Sequence, residues 1–481
     1  MDYSLFKKDK LTDKDSVTYI VSDIKALSTL QLSSDEREYA ESKFKEKKEE
    51  SATVITINRL KSYIGILFIG EESCSNHYIE KVRRCGASFY NSANKEGFTQ
   101  FAVQNLVEKK EFSLAFVEGV LLSAYSFDKY KSEKKEKSAL KIGVIDKSVF
   151  DNDLKELSNL IESVYLTRDL VNEPLGYLTA EKFGEIVKEK SLEHNFSAEV
   201  FNREKIEALR MNGLLSVNRG SIDPPTFSVM EWKPDNAVNS KPVVLVGKGV
   251  MFDTGGLNLK TPAGSMDTMK CDMGGAAAVL GAIVAAASNK LPVHVVGLVP
   301  ATDNRPGQKA FVPGDIIKMY NGKTVEVINT DAEGRLILAD ALSFASSYDP
   351  MVVIDLATLT GNAAIAIGIH GIVGMGTAGN NFKNAVEVSG DNVCERVVWF
   401  PFWEDYDDSV KSKIADIKNL GEREGGAISA GKFLGHFTDK PWIHLDIAGP
   451  AFLPSNVGYR PAGGSGVGVR LLFNYLASLS Q

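Results

Sequence analysis

The sequence predicts a two-domain α/β protein, a smaller N-terminal domain over 1–150 followed by a larger C-terminal domain over 151–481. Three observations carry this. The chain has 481 residues, more than one ordinary domain holds. Its first part alternates short β-rich runs with helical patterns. Its second part is richer in glycine and spaces strongly apolar runs between helices.

In chain order, "SVTYIVSDI", "ATVITIN" and "YIGILFIG" read as strands, and "HYIEKVRRCGASFYNSA" and "LAFVEGVLLSAYSF" as helices. The charged stretch "DKYKSEKKEKSA" at 128–139 reads as a solvated loop, and "ALKIGVID" as the strand that closes the domain. From Asn152 to Val171 the pattern is helical, so the domain junction belongs inside or just before that helix. Beyond it, "PVVLVG", "LPVHVVGLV", "VEVIN", "MVVIDLAT", "AIAIGI" and "WIHLDIAG" read as strands. Runs apolar on both faces imply a central sheet covered on both sides by helices. The stretch "MGGAAAVLGAIVAAAS" at 273–288 is apolar but shorter than the ~20 residues of a membrane span, and reads as a buried helix.

Composition narrows the function classes. A net charge of -7 speaks against nonspecific binding to nucleic acid or to acidic membranes. The cysteines, Cys74, Cys85, Cys271 and Cys394, are scattered and form no CxxC pair, which points to reduced thiols in a cytoplasm. The opening "MDYSLFKKDKLTDKD" has no apolar signal core, in keeping with a cytoplasmic location.

Polar residues gather where strands run into loops, the place where open α/β sheets bind ligands. "VGKGVMFDTGGLNLK" carries Lys248, Asp253 and Lys260, "MDTMKCDMGGAAA" carries Asp272, and "NTDAEGRL" carries Asp331, Glu333 and Arg335. Taken singly, each has a structural reading. Asp272 suits a helix N-cap, and Asp331 and Glu333 suit the cap and first turn of "GRLILADALSFA". Arg335 does not fit that account, because a cation in a first helical turn opposes the macrodipole. Taken together, four carboxylates at the junctions of one sheet would repel one another unless cations join them. Two divalent ions would neutralise them, and oxygen ligands suit zinc, manganese or magnesium. Two such ions about 3.5–4 Å apart share bridging carboxylates and a bridging hydroxide in many hydrolases. No histidine lies in these stretches, and His294 and His444 sit in apolar strands as core residues. A nucleotide-binding reading is weak, since Phe252 stands where GxGxxG needs its last glycine.

"NTDAEGRLILADAL" resembles the signature of the leucyl (cytosol) aminopeptidase family. "GKGVMFDTGG", "MKCDMGGAAAV", "DLATLTG", "NLGEREGGAISAGKFL", "WIHLDIAG", "LTRDLVNEPLGYLTAEKF" and "SVNRGSIDPPTF" resemble its other blocks. The resemblance spans about residue 160 to the end, and the N-terminal part resembles the family in layout. It implies a metal-dependent aminopeptidase with a mixed central sheet in the catalytic domain and an assembly or regulatory N-terminal domain. Lys248, Asp253, Asp272, Asp331 and Glu333 would be ligands of two divalent ions, zinc or manganese, with magnesium and cobalt as further options. Asp253 and Glu333 would bridge, and Lys248 would bind as a neutral amine. Lys260 would polarise the scissile carbonyl, with Lys270 as its only nearby competitor, and Arg335 would hold a bicarbonate acting as general base. Leu359 and Gly361 would meet the substrate backbone, and Met269, Thr358 and Gly361 would line the first side-chain pocket. The implied partners are peptide substrates, with leucine and other mainly apolar first residues, and further copies of the chain in a homohexamer. Two other classes stay open: a two-metal dipeptidase such as a Cys-Gly hydrolase, and a secondary DNA-binding regulatory role.

Overall fold

The computed structural model describes residues 3–12, 15–46, 52–70, 75–133, 138–260 and 266–480. Cys74, part of the charged loop at 128–139, and residues 261–265 between Lys260 and Asp272 lie outside the described residues. Two compact units emerge: Met1–Glu162 with Ser455–Ala462, and Ser163–Pro454 with Gly463–Gln481. The division falls inside helix Asp151–Asn172.

The first unit is built on strands β1 (Tyr3–Lys7), β2 (Val17–Val21), β3 (Thr53–Asn58), β4 (Tyr63–Phe68), β5 (Gln100–Asn105) and β6 (Leu140–Ile145). They form one mixed sheet in the order β1-β6-β5-β2-β4-β3, parallel except where β3 runs against β4. β1 and β5 were not legible in the sequence; "ALKIGVID" forms β6, the last strand in chain order, which lies between them. Helices Asn76–Lys95 and Lys110–Ala124 pack backbone to backbone. A Cβ on Gly86 would collide with Phe116 O, and one on Gly119 with Arg83 O, so only glycine permits this approach. Arg83, buried in that contact, is held by Glu80 at 2.6 Å and Glu118 at 2.7 Å, which satisfies a charge that burial would otherwise make costly.

The second unit contains β7 (Ser197–Phe201), β8 (Thr226–Trp232), β9 (Val243–Gly247), β10 (Gly249–Asp253), β11 (Val295–Asn304), β12 (Ile316–Lys318), β13 (Thr324–Glu326), β14 (Val352–Ala357), β15 (Ile372–Gly376), β16 (Val397–Trp399), β17 (Ile417–Lys418), β18 (Trp442–Asp446), β19 (Phe452–Leu453) and β20 (Gly463–Gly464). Nine of them make a mixed sheet in the order β16-β15-β18-β14-β9-β11-β8-β7, with β10 added along β11. The centre, β18-β14-β9-β11, is parallel, while β8, β7 and β15 bring the antiparallel pairings. Every residue of β9, β14 and β18 is buried, as expected for strands covered on both faces. Val244, Val246 and Val353 share one core with Leu336, Leu338 and Leu342 of helix Gly334–Ala345. The alternate face meets the Ala-rich helix Gly274–Ser288, whose residues 274–287 are all buried. It is a core helix, as its composition predicts.

Two sequence expectations are corrected. "AIAIGI", expected as a strand, lies in helix Gly361–Ile367 and the short turn Gly368–His370. Alternating Ala and Ile fit either period, but alanine favours helix, Thr360 Oγ1 caps Ala363 N at 3.1 Å, and Gly368 ends the helix at φ 67. "VEVIN" contributes β13, but to a separate three-stranded sheet with β12 and β17 rather than to the central sheet.

Candidate metal centre

The parallel strands β9, β10, β11, β14 and β18 end at one edge of the sheet, and each delivers a polar residue there. Lys248 follows β9, Asp253 ends β10, Asn304 ends β11, Thr358 follows β14 and Asp446 ends β18. β10 carries a one-residue irregularity: Val250 pairs with Thr302, yet Asp253 pairs with Asn304. A bulge of this kind turns the strand and re-aims the side chain beyond it. Gly255 and Gly256 then turn at φ 86 and φ 66, bringing Lys260 back beside Asp253. These elements enclose a cleft of about 610 Å³ lined by every residue the sequence singled out: Lys248, Asp253, Lys260, Met269, Asp272, Asp331, Glu333, Arg335, Thr358, Leu359 and Gly361.

Charges interlock within the cleft. Lys248 Nζ meets Asp272 at 2.8 Å and Glu333 at 3.1 Å, and donates to Thr358 O at 3.0 Å. Lys260 Nζ meets Asp253 at 2.8 Å and Asp331 at 2.6 Å. Lys270, the competing lysine, turns away to donate to Asn172 O at 2.7 Å. Asp272 does not cap the following helix: Met273 occupies that position, and Asp272 Oδ1 accepts from Lys248 and from Thr358 Oγ1 at 2.8 Å. Glu333 stands at the N-cap position of helix Gly334–Ala345 but makes no capping bond with its side chain. Both carboxylates serve the cleft instead of a helix end.

Burial, with Glu333 and Asp272 nearby, pushes the Asp253 carboxyl well up. Burial pushes Asp272 up to about 7 against the pull of Lys248, and raises Asp331, with Glu333 adding to the effect. Burial also works to raise Glu333, but Lys248 and Lys260 outweigh it and leave that carboxyl low. Burial works to lower Lys248 and Lys260, and the surrounding carboxylates outweigh it and hold both as ammonium groups. Among the protein's own charges Lys248 is therefore a cation, and the neutral amine expected of a ligand requires a dication to replace its proton.

The residues fit divalent ions. Carboxylate oxygens of Asp253, Asp331 and Glu333 lie within 4.8 Å of one another. Among the described residues, Asp272 Oδ2 is buried without a hydrogen-bond partner, an oxygen left available in a polar site. Two lysines balance only half of four carboxylates. Lys248, Asp253, Asp272, Asp331 and Glu333 are the groups that would hold the ions.

Two buried asparagines that sequence reading missed shape the cleft. Asn304 Nδ2 donates to Asp253 Oδ1 at 2.9 Å and Thr330 O at 3.0 Å. Asn419 Oδ1 accepts from Ile328 N at 2.7 Å, its Nδ2 donates to Asn329 O at 2.7 Å, and its carbonyl accepts from Arg335 Nη1 at 2.8 Å. Arg335 is buried; its Nε has no hydrogen-bond partner among the described residues, and burial lowers its pKa to about 10 against the pull of Glu333, Asp446 and Asp331. Asp446 accepts from Leu359 N at 3.2 Å and Thr360 Oγ1 at 2.7 Å, which fixes the loop carrying Leu359 and Gly361.

Comparison with known proteins gives the family of both parts of the chain. The catalytic-domain model of the cytosol aminopeptidase family matches residues 165–473, and the N-terminal-domain model of the same family matches residues 5–134. A "Probable cytosol aminopeptidase" of Chlorobium limicola is 45% identical over 382 residues, 76% of this chain and 75% of its own length. One from Geobacter sp. is 42% identical over 365 residues, 74% of each chain. A solved tomato leucine aminopeptidase variant superposes with a TM-score of 0.86 at 26% identity, covering 99% of this chain and 97% of its own. The bottromycin maturation enzyme BotP in complex with Mn superposes at 0.84 with 29% identity, covering 97% of this chain and 100% of its own. This chain belongs to the cytosol aminopeptidase family, and it is a metallo-exopeptidase, a hydrolase.

Proposed function

We propose that this member of the cytosol aminopeptidase family is a two-metal enzyme that removes the first residue, leucine and other mainly apolar residues, from peptides with a free α-amine. One observation carries the reading: four carboxylates and two lysines converge at the carboxyl ends of parallel strands, and the lysines balance only half the acidic charge. Lys248, Asp253, Asp272, Asp331 and Glu333 would hold two zinc or manganese ions, with magnesium or cobalt as further options, and Asp253 and Glu333 would serve both. When bound, the ions supply Lewis acidity and a hydroxide nucleophile at neutral pH.

The chain's own residues do the rest. Lys260, whose ammonium is held by Asp253 and Asp331, polarises the scissile carbonyl and stabilises the oxyanion. Arg335, pinned through Nη1 to Asn419 O with its Nε unpartnered, offers a fixed guanidinium for a bicarbonate that serves as general base. Leu359 and Gly361 meet the substrate backbone, while Met269, Thr358 and Gly361 line the first side-chain pocket. A thioether, a methyl group and a bare backbone favour an apolar first residue. The N-terminal unit serves assembly or regulation in a cytoplasmic homohexamer, and a monomer by sedimentation at micromolar concentration would count against that part.

Recognition of the neutral α-amine, whose solution pKa is about 7.7–8.0, makes kcat/KM rise from neutral to alkaline pH. The test is side-by-side turnover of Leu-amide, Cys-Gly and a phosphate ester, each with Mn²⁺ and with Zn²⁺. Preference for Leu-amide supports the reading; preference for Cys-Gly replaces it with a dipeptidase, and preference for the ester with another two-metal hydrolase.

A further inference from the structure

Asn304 stands outside the predicted ligand set, yet it contacts Asp253, Thr254, Thr330 and Glu333. It ends β11, is fully buried, and pairs in register with Asp253 of β10. Its carbonyl accepts from Thr254 N at 3.0 Å and Thr254 Oγ1 at 2.8 Å, which locks its backbone to the start of the loop that returns Lys260. Its amide nitrogen donates to Asp253 Oδ1 at 2.9 Å and Thr330 O at 3.0 Å, and lies 3.5 Å from Glu333 Oε2. Three acceptors around one NH₂ fix the amide's orientation, since the flipped form would turn its oxygen onto two carboxylates. The oxygen instead faces Gly256, where a Cβ would come within 2.8 Å of it.

This arrangement divides the two oxygens of Asp253. Oδ1 is committed to protein donors, Asn304 Nδ2 and Gly255 N at 2.8 Å. Oδ2 is turned to the cleft, where Lys260 now meets it at 2.8 Å. A neutral amide can do this without spending the site's negative charge. A lysine or arginine there would pair with the carboxylates and compete with a dication, and an aspartate would add a fifth acid.

We infer that Asn304 is the positioning residue of the metal centre, orienting Asp253 and bracing Glu333 so that their oxygens face the cleft together. The inference rests on the two-metal reading above. It concerns affinity for the ions, since Asn304 does not line the cleft and touches no reacting atom. Loss of a hydrogen-bond partner behind a metal ligand typically weakens binding about 10–100-fold.

The test uses the full chain, stripped of metal and titrated with Mn²⁺ by calorimetry, as wild type, Asn304→Leu and Asn304→Asp. Asn304→Leu removes the donor while keeping the branched heavy-atom skeleton, and Asn304→Asp replaces the donor by an acceptor at the same shape. Both should bind Mn²⁺ about 10–100-fold more weakly, Asn304→Asp the worse. Excess Mn²⁺ should restore kcat in Asn304→Leu with KM for Leu-amide unchanged, a rescue that a general loss of structure would not give. Wild-type Mn²⁺ affinity in Asn304→Leu would overturn the inference alone. So would weak binding that no Mn²⁺ concentration rescues, or that accompanies loss of cooperative melting, because the residue would then be structural. A wild-type chain that takes up no Mn²⁺ would defeat the two-metal reading itself, and the inference with it.

Discussion

Gly334 opens the helix behind the acidic loop, and its missing side chain is part of the metal centre. A Cβ built on it would collide with Lys248 Cε and lie 2.5 Å from Nζ and 2.8 Å from Cδ. Ordinary contact needs ~3.5 Å or more, so in Gly334→Ala the end of Lys248 must move by about 1 Å. Elsewhere the tip of a lysine would swing aside cheaply. Here Lys248 is buried and its Nζ is pinned by Asp272 at 2.8 Å, Thr358 O at 3.0 Å and Glu333 at 3.1 Å. Overpacking of this size destabilises by about 1–3 kcal/mol, and each kcal/mol lowers Tm by roughly 2–4 °C in a domain of 150–250 residues, with less expected for a larger unit. A displacement of ~1 Å at an active centre lowers turnover by about 10²-fold. The site should therefore suffer more than the fold. Gly275→Ala gives the contrast, because its Cβ would strike Leu356 O, a backbone atom that cannot swing away. Differential scanning calorimetry, Mn²⁺ titration and Leu-amide turnover should find Gly334→Ala folded but weak in metal binding, and Gly275→Ala the less stable of the two. Wild-type Mn²⁺ affinity and kcat in Gly334→Ala would refute the reasoning.

Under the proposed sharing of Asp253 and Glu333 between two ions, Asp253→Ala and Glu333→Ala should each abolish metal-dependent turnover; retained turnover in either, assayed across Mn²⁺ concentrations, would sink that assignment. Lys260→Ala should lower kcat by about 10²–10³-fold with metal content intact. Arg335→Ala should be milder and lose its response to added bicarbonate, and equal losses in the two variants would contradict the division of roles. In the N-terminal unit, hydrogen bonds from Arg59 hold the Glu36 carboxyl at about 2, below its usual 4.5. A depressed folded-state value means stabilisation that is present above pH ~4.5 and lost as pH falls toward about 2. Solvent screening limits it to about 1 kcal/mol. Urea unfolding at pH 5 and pH 3 should show a smaller acid-induced loss in Glu36→Gln than in wild type, and parallel losses would count against the pairing.

What the sequence made legible follows from what is local. β9, β14 and β18 are continuous apolar runs because both faces are covered, so their existence and their polar endings could be read directly. Charged residues gathered at strand ends pointed to the acidic cluster before any coordinates did. β1 and β5 escaped notice because their short runs mix apolar and polar residues. "AIAIGI" misled because its alternation satisfies a strand while its alanines and the Thr360 cap favour a helix. Asn304 and Asn419 left no trace in sequence. Each is a single amide whose partners lie up to 51 and 91 residues away, and only the bulge in β10 and the packing of the loops bring them together.

The central claim is that metal held by the acidic cleft, acting on a free α-amine, is the catalyst. Its most direct test is the metal-stripped chain assayed with Leu-Gly-Gly and with N-acetyl-Leu-Gly-Gly across pH 6 to 10, before and after addition of Mn²⁺, Zn²⁺ or Co²⁺. The account predicts no turnover before addition, restoration by metal on the free peptide alone, and a rise in kcat/KM with a limb near the ~7.7–8.0 pKa of the amine. Turnover by the stripped chain, or comparable cleavage of the acetylated peptide, would contradict it.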